Sequence, residues 1–353
     1  MNNRPLLVQA LNREPLTRPP VWLMRQAGRY QASYRAIKSR HSFLEICRSA
    51  DIAYEVSMLP VTEFDMDAAI VFADILLPLE GLGVTIDFAP GPHIANPIKK
   101  PEDIENLVVS EYDAYSIVPK VISRLKDTLA CGESPKAVLG FAGAPWTLAC
   151  YLIEHGPYKG FQGVPVFAEQ HPQAMQTLLD QLTTTTIGYL AAQIAGGADA
   201  VQIFDTWGGL LDEESYRRFS LPYITRVINA VQTTDTPVIL YVNGSSHLLE
   251  TMEESGAKCL SLDWRTDPSD ALARLKSETV IQGNLDPVSL FAPPALRTQK
   301  VRSMLENFSA RPGYIANLGH GILQETPESA VLDLINQVKS YSPDIACKPV
   351  VRL

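Results

Sequence analysis

Two arginines, Arg25 and Arg29, are the residues of this 353-residue chain whose type and spacing point most directly to chemistry. They lie four residues apart in the segment 21–38, VWLMRQAGRYQASYRAIK, just after an apolar run. On a helical turn, this spacing projects both guanidinium groups to one side. Because a guanidinium presents a planar fork of donors that matches the two oxygens of a carboxylate, the pair predicts a carboxylate clamp. The alternative is a structural salt bridge, which the shortage of acids nearby disfavours.

The distribution of charge along the chain favours a local positive field around these arginines. Residues 1–48 contain nine basic side chains and two acidic ones, while the whole chain has a formal net charge of −9. A solvated basic face without a ligand is the alternative. The negative total argues against nucleic acid as a partner. The nine basic residues are Arg4, Arg13, Arg18, Arg25, Arg29, Arg35, Lys38, Arg40 and Arg48.

The elements that would position such residues are short apolar runs, each followed by a helical stretch. Continuous apolar strands separated by helical crossovers are typical of parallel sheets covered on both faces. Eight such units predict a single-domain α/β fold over residues 1–353, a (β/α)₈ barrel of the TIM type, with a doubly wound open sheet as the second possibility. The eight runs span residues 20–24, 68–74, 137–143, 198–206, 237–244, 259–264, 279–286 and 314–321.

The intervals between the runs show helical periodicity in several places. Residues 111–130 and 172–196 have apolar side chains at three- and four-residue spacing, which predicts helices. A third helical interval, 215–232, contains an internal proline that kinks or divides it. The stretch 83–103 fits no βα unit and is predicted to form a short hairpin excursion.

In a (β/α)₈ barrel the chemistry takes place at the carboxyl ends of the strands. Soluble loops also carry polar side chains, so the identity of these residues matters more than their polarity. The predicted strand ends carry Arg25 and Arg29, Asp74, residues 143–146, Asp205 and Thr206, Asn243, Asp263 and Trp264, Asn284 and Asp286, and His320.

Several reaction classes lack the residues they need. No lysine ends a predicted strand, which disfavours a Schiff-base mechanism. Asp74, Asp205, Asp263 and His320 could converge on a metal, but no His/Cys spacing typical of a catalytic zinc site lies near a strand end. Neither a nucleophile elbow nor a phosphate-binding P-loop is present. We therefore expect no metal and no organic cofactor.

Composition places the chain among ordinary globular proteins, with 46 % hydrophobic and 20 % charged residues. No stretch approaches the ~20 consecutive apolar residues of a membrane span, and the N-terminal segment lacks the apolar run of a secretory signal. The five cysteines are scattered and odd in number, which indicates a reducing compartment. We expect a cytoplasmic protein without a membrane partner.

Two motifs make the pattern specific. RPPVWLMRQAGRYQ (18–31) resembles the first signature of the uroporphyrinogen decarboxylase family, and GFAGAPWTLACYLIE (140–154) resembles its second. Residues 67–78, 201–209, 282–287 and 314–322 are similar to further blocks of that family, in its order. The resemblance extends over about residues 15–340. It departs at Lys38, at His155 and in the variable region 241–247, none of which touches the motif residues.

The resemblance implies a fold, an activity and an assembly. It implies a (β/α)₈ barrel, a homodimer with neighbouring clefts, no cofactor, and conversion of uroporphyrinogen to coproporphyrinogen on the route to haem and chlorophyll. The location would be the cytoplasm, or the plastid stroma if the chain is a processed plant or algal protein. Matched onto the first signature, the residues expected to bind substrate are Arg25, Gln26, Ala27, Gly28 and Arg29.

Cofactor-free decarboxylation sets a chemical requirement for the site. Loss of carbon dioxide from an acetate arm leaves a carbanion, and a pyrrole protonated on a ring carbon can accept that electron pair. A buried carboxylate beneath the ring would stabilise the cationic pyrrole. Asp74 is the candidate, and a helix cap at the strand–helix junction is its alternative role. The proton donor stays open among Arg29, Arg25 and a bound water.

Three further residues complete the predicted site. Tyr151 is expected to hydrogen-bond Asp74 or the substrate, and it joins Asp74, Arg25 and Arg29 as a catalytic candidate. Thr206 and His320 fit carboxylate-binding positions as hydrogen-bond donors. Two rival functions remain: a zinc- or corrinoid-linked methyltransferase of the same fold, and a non-catalytic tetrapyrrole carrier that would not need Asp74.

Overall fold

The structure, a computed structural model, describes residues 4–88, 91–107, 114–132, 134–154, 163–233, 235–309 and 311–342. Its strands are β1 (Ala68–Ile70), β2 (Ile86–Asp87), β3 (His93–Ile94), β4 (Ala137–Gly143), β5 (Ala200–Asp205), β6 (Val238–Val242), β7 (Cys259–Ser261), β8 (Val280–Leu285) and β9 (Tyr314–Leu318). Seven of them form one parallel sheet in the order β1-β4-β5-β6-β7-β8-β9. Each strand of this sheet therefore lies beside the next one along the chain.

Residues 20–22 join the two edges of this sheet. Val21 forms a parallel bridge to Ala316 of β9, and the Ala316 N–H donates to the Pro20 carbonyl at 2.9 Å. On the other side, the N–H of Asp67, which precedes β1, donates to the Val21 carbonyl at 2.9 Å. This segment takes the place of the eighth strand. The sequential order confirms the (β/α)₈ barrel and excludes the doubly wound sheet, whose order reverses at a switch point.

Helical segments connect the strands and surround them. The helices are α1 (Leu6–Leu11), α2 (Ala32–Lys38), α3 (Phe43–Arg48), α4 (Ala50–Phe64), α5 (Ala114–Leu129), α6 (Pro145–Glu154), α7 (Gly163–Gln170), α8 (Pro172–Ala195), α9 (Glu213–Phe219), α10 (Leu221–Val231), α11 (Leu249–Glu253), α12 (Pro268–Arg274), α13 (Pro294–Phe308) and α14 (Glu328–Ser340). Short 3₁₀ helices span Leu77–Leu82, Pro101–Asn106, Gly208–Leu210 and Pro287–Phe291. The predicted helices at 172–196 and 215–232 are confirmed, and the second is divided into α9 and α10 at Ser220. The predicted helix 111–130 is confirmed from Ala114, since 111–113 lie outside the described residues.

The strands of the barrel sheet are almost entirely buried, as their continuous apolar character predicts. Every residue of β4 is buried. Alternate side chains separate into an inner cluster and an outer one that packs against the helices. Leu7, Ala10 and Leu11 of α1 belong to the inner cluster, so α1 covers the amino-terminal end of the barrel. The loops that follow the carboxyl ends of the strands lie at the opposite end of the barrel.

The predicted excursion at 83–103 is confirmed as an antiparallel pair. Ile86 of β2 is opposite Ile94 of β3, and Asp87 is opposite His93. This pair lies between β1 and α5 in the chain and outside the barrel sheet. Residues 89–90 lie outside the described part of the chain.

Two predicted strands are shorter than expected. The run 20–24 forms a single bridge, since the Val21 N–H donates to the Asp67 side chain and the Met24 N–H donates to the Asn317 side chain. The run 68–74 ends as β1 at Ile70, and the N–H of Phe72 donates to Ser57 Oγ at 2.8 Å. In both runs side chains from other elements replace strand partners.

No helix in the described ranges is long and apolar enough to cross a membrane. Cys47, Cys131, Cys150 and Cys259 are free thiols. Cys347 lies outside the described residues.

Candidate active site

The loop 24–31, which carries both predicted arginines, is fixed to the end of β9. The Met24 N–H donates to Asn317 Oδ1 at 3.1 Å, and the Met24 carbonyl accepts the N–H of Ile322 at 3.0 Å. A Cβ added to Gly321 would overlap the side chain of Arg25. The Arg25 side chain therefore packs directly on the backbone that follows β9.

The expectation of a helical turn at Arg25–Arg29 is wrong. Arg25 has φ +60°, in the left-handed region, and α2 begins only at Ala32. The buried side chain of Gln26 accepts the Leu23 N–H at 3.2 Å and donates to the Ala68 carbonyl at 3.0 Å. These bonds hold the loop in turns, so Gln26 acts as its anchor.

Among the nine basic residues of the N-terminal segment, Arg25 and Arg29 differ from the rest. Within the described residues, both are exposed, and neither guanidinium donates a hydrogen bond or forms an ion pair. The other seven donate to carboxylates or carbonyls; Arg18, for example, binds Asp67 in a bidentate pair at 2.7 and 2.8 Å. The structure thus leaves free the two guanidinium groups that the sequence singles out.

The backbone of the same loop offers further donors. The N–H groups of Ala27, Gly28 and Arg29 have no acceptor among the residues that the structure describes. Consecutive unpaired N–H groups form a concave site that suits an anion. Ala27 and Gly28 can therefore contribute through the backbone.

Asp74 lies after β1, half-buried, close to Arg25. Its Oδ1 accepts the Leu76 N–H at 2.9 Å, and its Oδ2 has no hydrogen-bond partner in the described part of the chain. Burial raises the pKa of Asp74 to about 6, although the Leu76 N–H and Arg25 oppose the shift. The carboxylate thus forms a local turn before the 3₁₀ helix Leu77–Leu82 and keeps one oxygen for another partner.

Tyr151, on α6, is coupled to the same groups. Burial and the Asp74 charge raise the pKa of Tyr151 to about 12, while Trp207 and Arg25 oppose the shift. Its ring centroid lies 6.1 Å from that of Trp207. These two described residues, Tyr151 and Asp74, form no direct hydrogen bond, so the coupling between them is electrostatic.

His320 lies after β9 within a stack of aromatic rings. Its ring is nearly parallel to Trp264, with centroids 5.8 Å apart, and to Tyr241, with centroids 6.1 Å apart. Burial, followed by the charges of Arg25 and Arg265, lowers the pKa of His320 to about 4. His320 is therefore neutral at pH 7.

The contacts of Tyr241 define the hydrogen bonding of His320. The Tyr241 hydroxyl lies 3.1 Å from the Gly319 carbonyl and 3.0 Å from His320 Nδ1. Since tyrosine has one hydroxyl proton, both contacts are satisfied when Tyr241 donates to Gly319 and His320 Nδ1–H donates to Tyr241. The free Nε2 of the neutral ring is then an acceptor, and it becomes a donor only on gaining a proton.

Thr206 and Asp205 end β5 and have different environments. The fully buried Asp205 carboxylate accepts the hydroxyls of Thr147 at 2.7 Å and Ser220 at 2.6 Å. Burial raises the pKa of Asp205 to about 6, against these hydrogen bonds. Thr206 is half-buried, and its hydroxyl has no partner within the described residues. Asp205 therefore has a structural role, whereas the Thr206 hydroxyl can donate a hydrogen bond to a ligand.

Sequence reasoning did not single out two residues near His320. Tyr241 is inside a predicted strand, and its hydroxyl reaches the strand end. Arg265 comes one residue after Trp264, just beyond the predicted strand end. Extending each strand end by one residue would have found Arg265.

Within the described residues, no group of three or more His, Cys, Asp or Glu side chains is arranged to hold a metal.

The fold and the site together define a (β/α)₈-barrel enzyme whose strand-end face carries the unpaired guanidinium groups of Arg25 and Arg29 among the described residues. The family model for uroporphyrinogen decarboxylase (URO-D) matches residues 2–341. The uroporphyrinogen decarboxylase of Trichlorobacter lovleyi is 43 % identical over 343 residues, which cover 97 % of this chain and 99 % of that protein. That of Carboxydothermus hydrogenoformans is 42 % identical, over 95 % of this chain and 97 % of that protein. The chain belongs to the uroporphyrinogen decarboxylase family.

Solved structures of other proteins share the fold. A methyltransferase from Methanosarcina mazei superposes with a TM-score of 0.78 at 18 % identity and covers 94 % of this chain and 97 % of that chain. A B12-independent methionine synthase from a Shewanella species gives a TM-score of 0.58 at 9 % identity, over 92 % of this chain and 96 % of that chain. At these identities the likeness shows the fold alone.

Proposed function

We propose that this chain is a carboxy-lyase that decarboxylates the four acetate side chains of uroporphyrinogen III to methyl groups, releasing coproporphyrinogen III and four molecules of carbon dioxide without a cofactor. The observation that carries the proposal is the unpaired guanidinium of Arg25 close to Asp74, whose Oδ2 is free, at the strand-end face of this family's barrel. The positive charge of Arg25 suits a substrate carboxylate that has to be held. The negative charge of Asp74 suits a cationic pyrrole that has to be stabilised.

Substrate is bound by side chains and backbone N–H groups that have no hydrogen-bond partner within the described residues. Arg25 and Arg29 hold carboxylates through their guanidinium forks, assisted by the backbone N–H groups of Ala27 and Gly28. Thr206 donates its hydroxyl to a carboxylate. His320 accepts at Nε2 from a neutral donor, or takes up a proton and donates to a carboxylate.

Asp74 supports the chemical step. A proton adds to a ring carbon of the pyrrole that bears the acetate, which makes the ring cationic. The bond between the methylene and carboxylate carbons then breaks, carbon dioxide leaves, and its electron pair neutralises the ring. A proton adds to the methylene carbon to form the methyl group, and the ring carbon loses its extra proton. The ionised Asp74 stabilises the cationic ring and its N–H group throughout.

Arg25 and Tyr151 both interact with Asp74, and each has its own role in the proposal. Arg25 favours the ionised form of Asp74, against the burial that disfavours it. Tyr151 keeps its proton at neutral pH, because burial and Asp74 raise its pKa to about 12, so it serves as a hydrogen-bond donor to substrate. The donor of the first proton stays open among Arg25, Arg29 and a bound water.

The finer assignments complete the proposal. The whole chain acts as one barrel domain, works in the cytoplasm as a homodimer, and supplies a step of haem biosynthesis. The family membership and the bacterial relatives support this assignment.

The test is anaerobic incubation of the purified chain with enzymatically generated uroporphyrinogen, followed by separation of the oxidised products according to carboxylate number. The expected products have seven, six, five and finally four carboxylates. A bound but unchanged octacarboxylate would indicate a carrier. Methyl transfer to an added thiol without loss of carboxylates would indicate the methyltransferase.

A further inference from the structure

Arg265 stands at the strand-end face, four residues after the end of β7. Its Nη1 donates to Asp263 Oδ2 at 2.7 Å and to Asn243 Oδ1 at 3.3 Å. Its guanidinium carbon lies 3.7 Å from the centre of the Trp264 ring. An ion pair and a cation–π contact thus hold this guanidinium in one orientation.

The partners of Arg265 occupy only one side of its guanidinium. Nε and Nη2 have no acceptor among the residues that the structure describes. These two nitrogens form the side-on edge that binds both oxygens of a carboxylate at once. With 49 % of the Arg265 side chain exposed, this edge is open to a ligand.

The fixed guanidinium is part of the stack that contains His320. Arg265 lies over Trp264, and Trp264 is nearly parallel to His320 at 5.8 Å. The Asp263 carboxylate is shared among Arg265 and two backbone N–H groups. Burial is the main cause of the lowered pKa of His320, and the positive charges of Arg25 and Arg265 add to it, so both guanidinium groups act on the same ring.

We propose that the Nε–Nη2 edge of Arg265 binds a peripheral carboxylate of the substrate, as a third arginine that works beside Arg25 and Arg29. This inference rests on the proposed function for the identity of the ligand. A substrate with eight carboxylates around one ring needs donors at more than one side of the cleft. Arg25 approaches from the loop before β1, and Arg265 from the loop after β7.

The test compares Arg265 with an arginine in a similar setting on the outer helices. Arg265→Gln keeps an N–H donor for Asp263 and a flat group over Trp264, but loses the charge and the fork. Arg265→Lys keeps the charge and loses the fork. The control is Arg226→Gln on α10, since Arg226 is 50 % exposed, pairs with Asp180 and lies near the Tyr223 ring.

Binding is measured with uroporphyrin, the stable octacarboxylic oxidised ring, by quenching of tryptophan fluorescence at several salt concentrations. We expect Arg265→Gln to raise Kd about 10- to 100-fold and to flatten its salt dependence, because a charge-assisted bidentate contact is lost. Arg265→Lys should fall between this variant and wild type. In turnover, KM should rise by a similar factor while kcat stays within about threefold. Arg226→Gln should match wild type.

The inference is overturned if Arg265→Gln binds uroporphyrin with the affinity and salt dependence of wild type. A purely structural role would produce that result together with a lower unfolding temperature. A wild-type chain that binds uroporphyrin but does not decarboxylate uroporphyrinogen would refute the proposed function alone, and the binding comparison would still decide the role of Arg265. A wild-type chain that neither binds uroporphyrin nor decarboxylates uroporphyrinogen overturns both.

Discussion

At the scale of single residues, Asp74 has two separable tasks: it forms a turn with the Leu76 N–H, and it presents a free oxygen. We expect Asp74→Asn to lower kcat by at least about 10²- to 10³-fold, because the amide keeps an acceptor for the turn but loses the charge that stabilises a cationic pyrrole. Asp74→Glu should recover part of the activity and leave incompletely decarboxylated products. Turnover is measured by product carboxylate number.

Asp286→Asn is the matched control for this substitution. Asp286 also follows a strand, and its Oδ1 accepts the Val288 N–H two residues later, at 2.9 Å. If Asp74 were only a turn former, both variants would keep full activity, because Asn and Asp form such turns about equally well. Asp74→Asn should also be at least as stable as wild type at pH 7, since the fold raises the pKa of Asp74 and so disfavours its ionised form. That difference should shrink as pH falls from about 6 to about 4.

The predicted clamp makes an independent test possible. Arg25→Lys or Arg29→Lys keeps the charge but loses the planar fork, so we expect kcat/KM to fall about 10²-fold or more, equivalent to about 3 kcal/mol. The unfolding free energy should barely change, because neither guanidinium forms an ion pair within the described residues. Arg40→Lys serves as the control. Normal processing of all four acetates by Arg29→Lys would contradict the clamp.

The pH dependence of turnover follows from Asp74. Its pKa is raised to about 6, and in the proposed mechanism the ionised form is the active one, so kcat/KM should decrease as pH falls below about 6. His320, with its pKa lowered to about 4, and Tyr151, with its pKa raised to about 12, do not titrate between pH 5 and pH 8. Asp205, whose pKa is also raised to about 6, is assigned to the hydrogen bonds from Thr147 and Ser220 and not to the reaction. A profile of kcat/KM from pH 5 to pH 8 checks this. An activity that stays constant from pH 7 down to pH 5 would contradict an ionised Asp74.

The sequence predicted the identity of the site residues better than their geometry. Arg25 and Arg29 were expected to be free because acids are scarce nearby, and they are the two basic residues of that segment whose side chains have no hydrogen-bond or ion-pair partner among the residues that the structure describes. Their loop conformation could not be predicted, because it depends on bonds from Gln26 to Leu23 and Ala68. Arg265 was not predicted because it lies one residue beyond the predicted strand end, and part of its support comes from Asn243 on the neighbouring strand-end loop.

At the scale of elements, the junction that closes the barrel contains a buried ion pair. Arg18 binds the buried Asp67, which also accepts the Val21 N–H at 2.9 Å. Arg18→Met should reduce the free energy of unfolding by about 2–3 kcal/mol, because it leaves the buried Asp67 carboxylate with only the Val21 N–H and the Lys136 ammonium, which lies farther away at 3.7 Å. The loss should stay below that of a fully buried pair, since 20 % of the Arg18 side chain is exposed. Chemical denaturation measures it.

Arg302→Met is the control for this substitution. Arg302 pairs with Glu306 on the surface of α13, where both side chains are more than half exposed. Its removal should change the free energy of unfolding by no more than about 0.5 kcal/mol. Equal losses in the two variants would mean that Arg18–Asp67 has no special part in closing the barrel.

The order and number of the βα units could be predicted because apolar runs and helical periodicity recur along the chain. Strand lengths could not be predicted in the same way. Residues 20–24 look like a strand in sequence, yet Val21 and Met24 donate to side chains from distant parts of the chain. Pro222 predicted a kink or a division between α9 and α10. The hydrogen bond from the Ser220 hydroxyl to the buried Asp205 could not be predicted, because it joins residues from two different elements.

At the scale of the whole molecule, a chain of net charge −9 is proposed to bind a substrate with eight carboxylates. Long-range repulsion then has to be overcome by a local field in the cleft. The unpaired guanidinium groups of Arg25 and Arg29 provide that field, and the barrel fixes them at one end. The opposite end is covered by α1, whose Leu7, Ala10 and Leu11 pack into the barrel interior.

The central claim is that this cleft decarboxylates four acetates by means of its own side chains and the pyrrole ring. The most direct measurement is carbon dioxide release from uroporphyrinogen by chain that has been dialysed anaerobically against EDTA, with product carboxylate number determined in the same samples. We predict that the dialysed protein releases four carbon dioxide molecules for each tetracarboxylate product, at the same rate as undialysed protein. Activity that is lost on dialysis and restored by zinc, or uroporphyrinogen that stays unchanged in both samples, would contradict it.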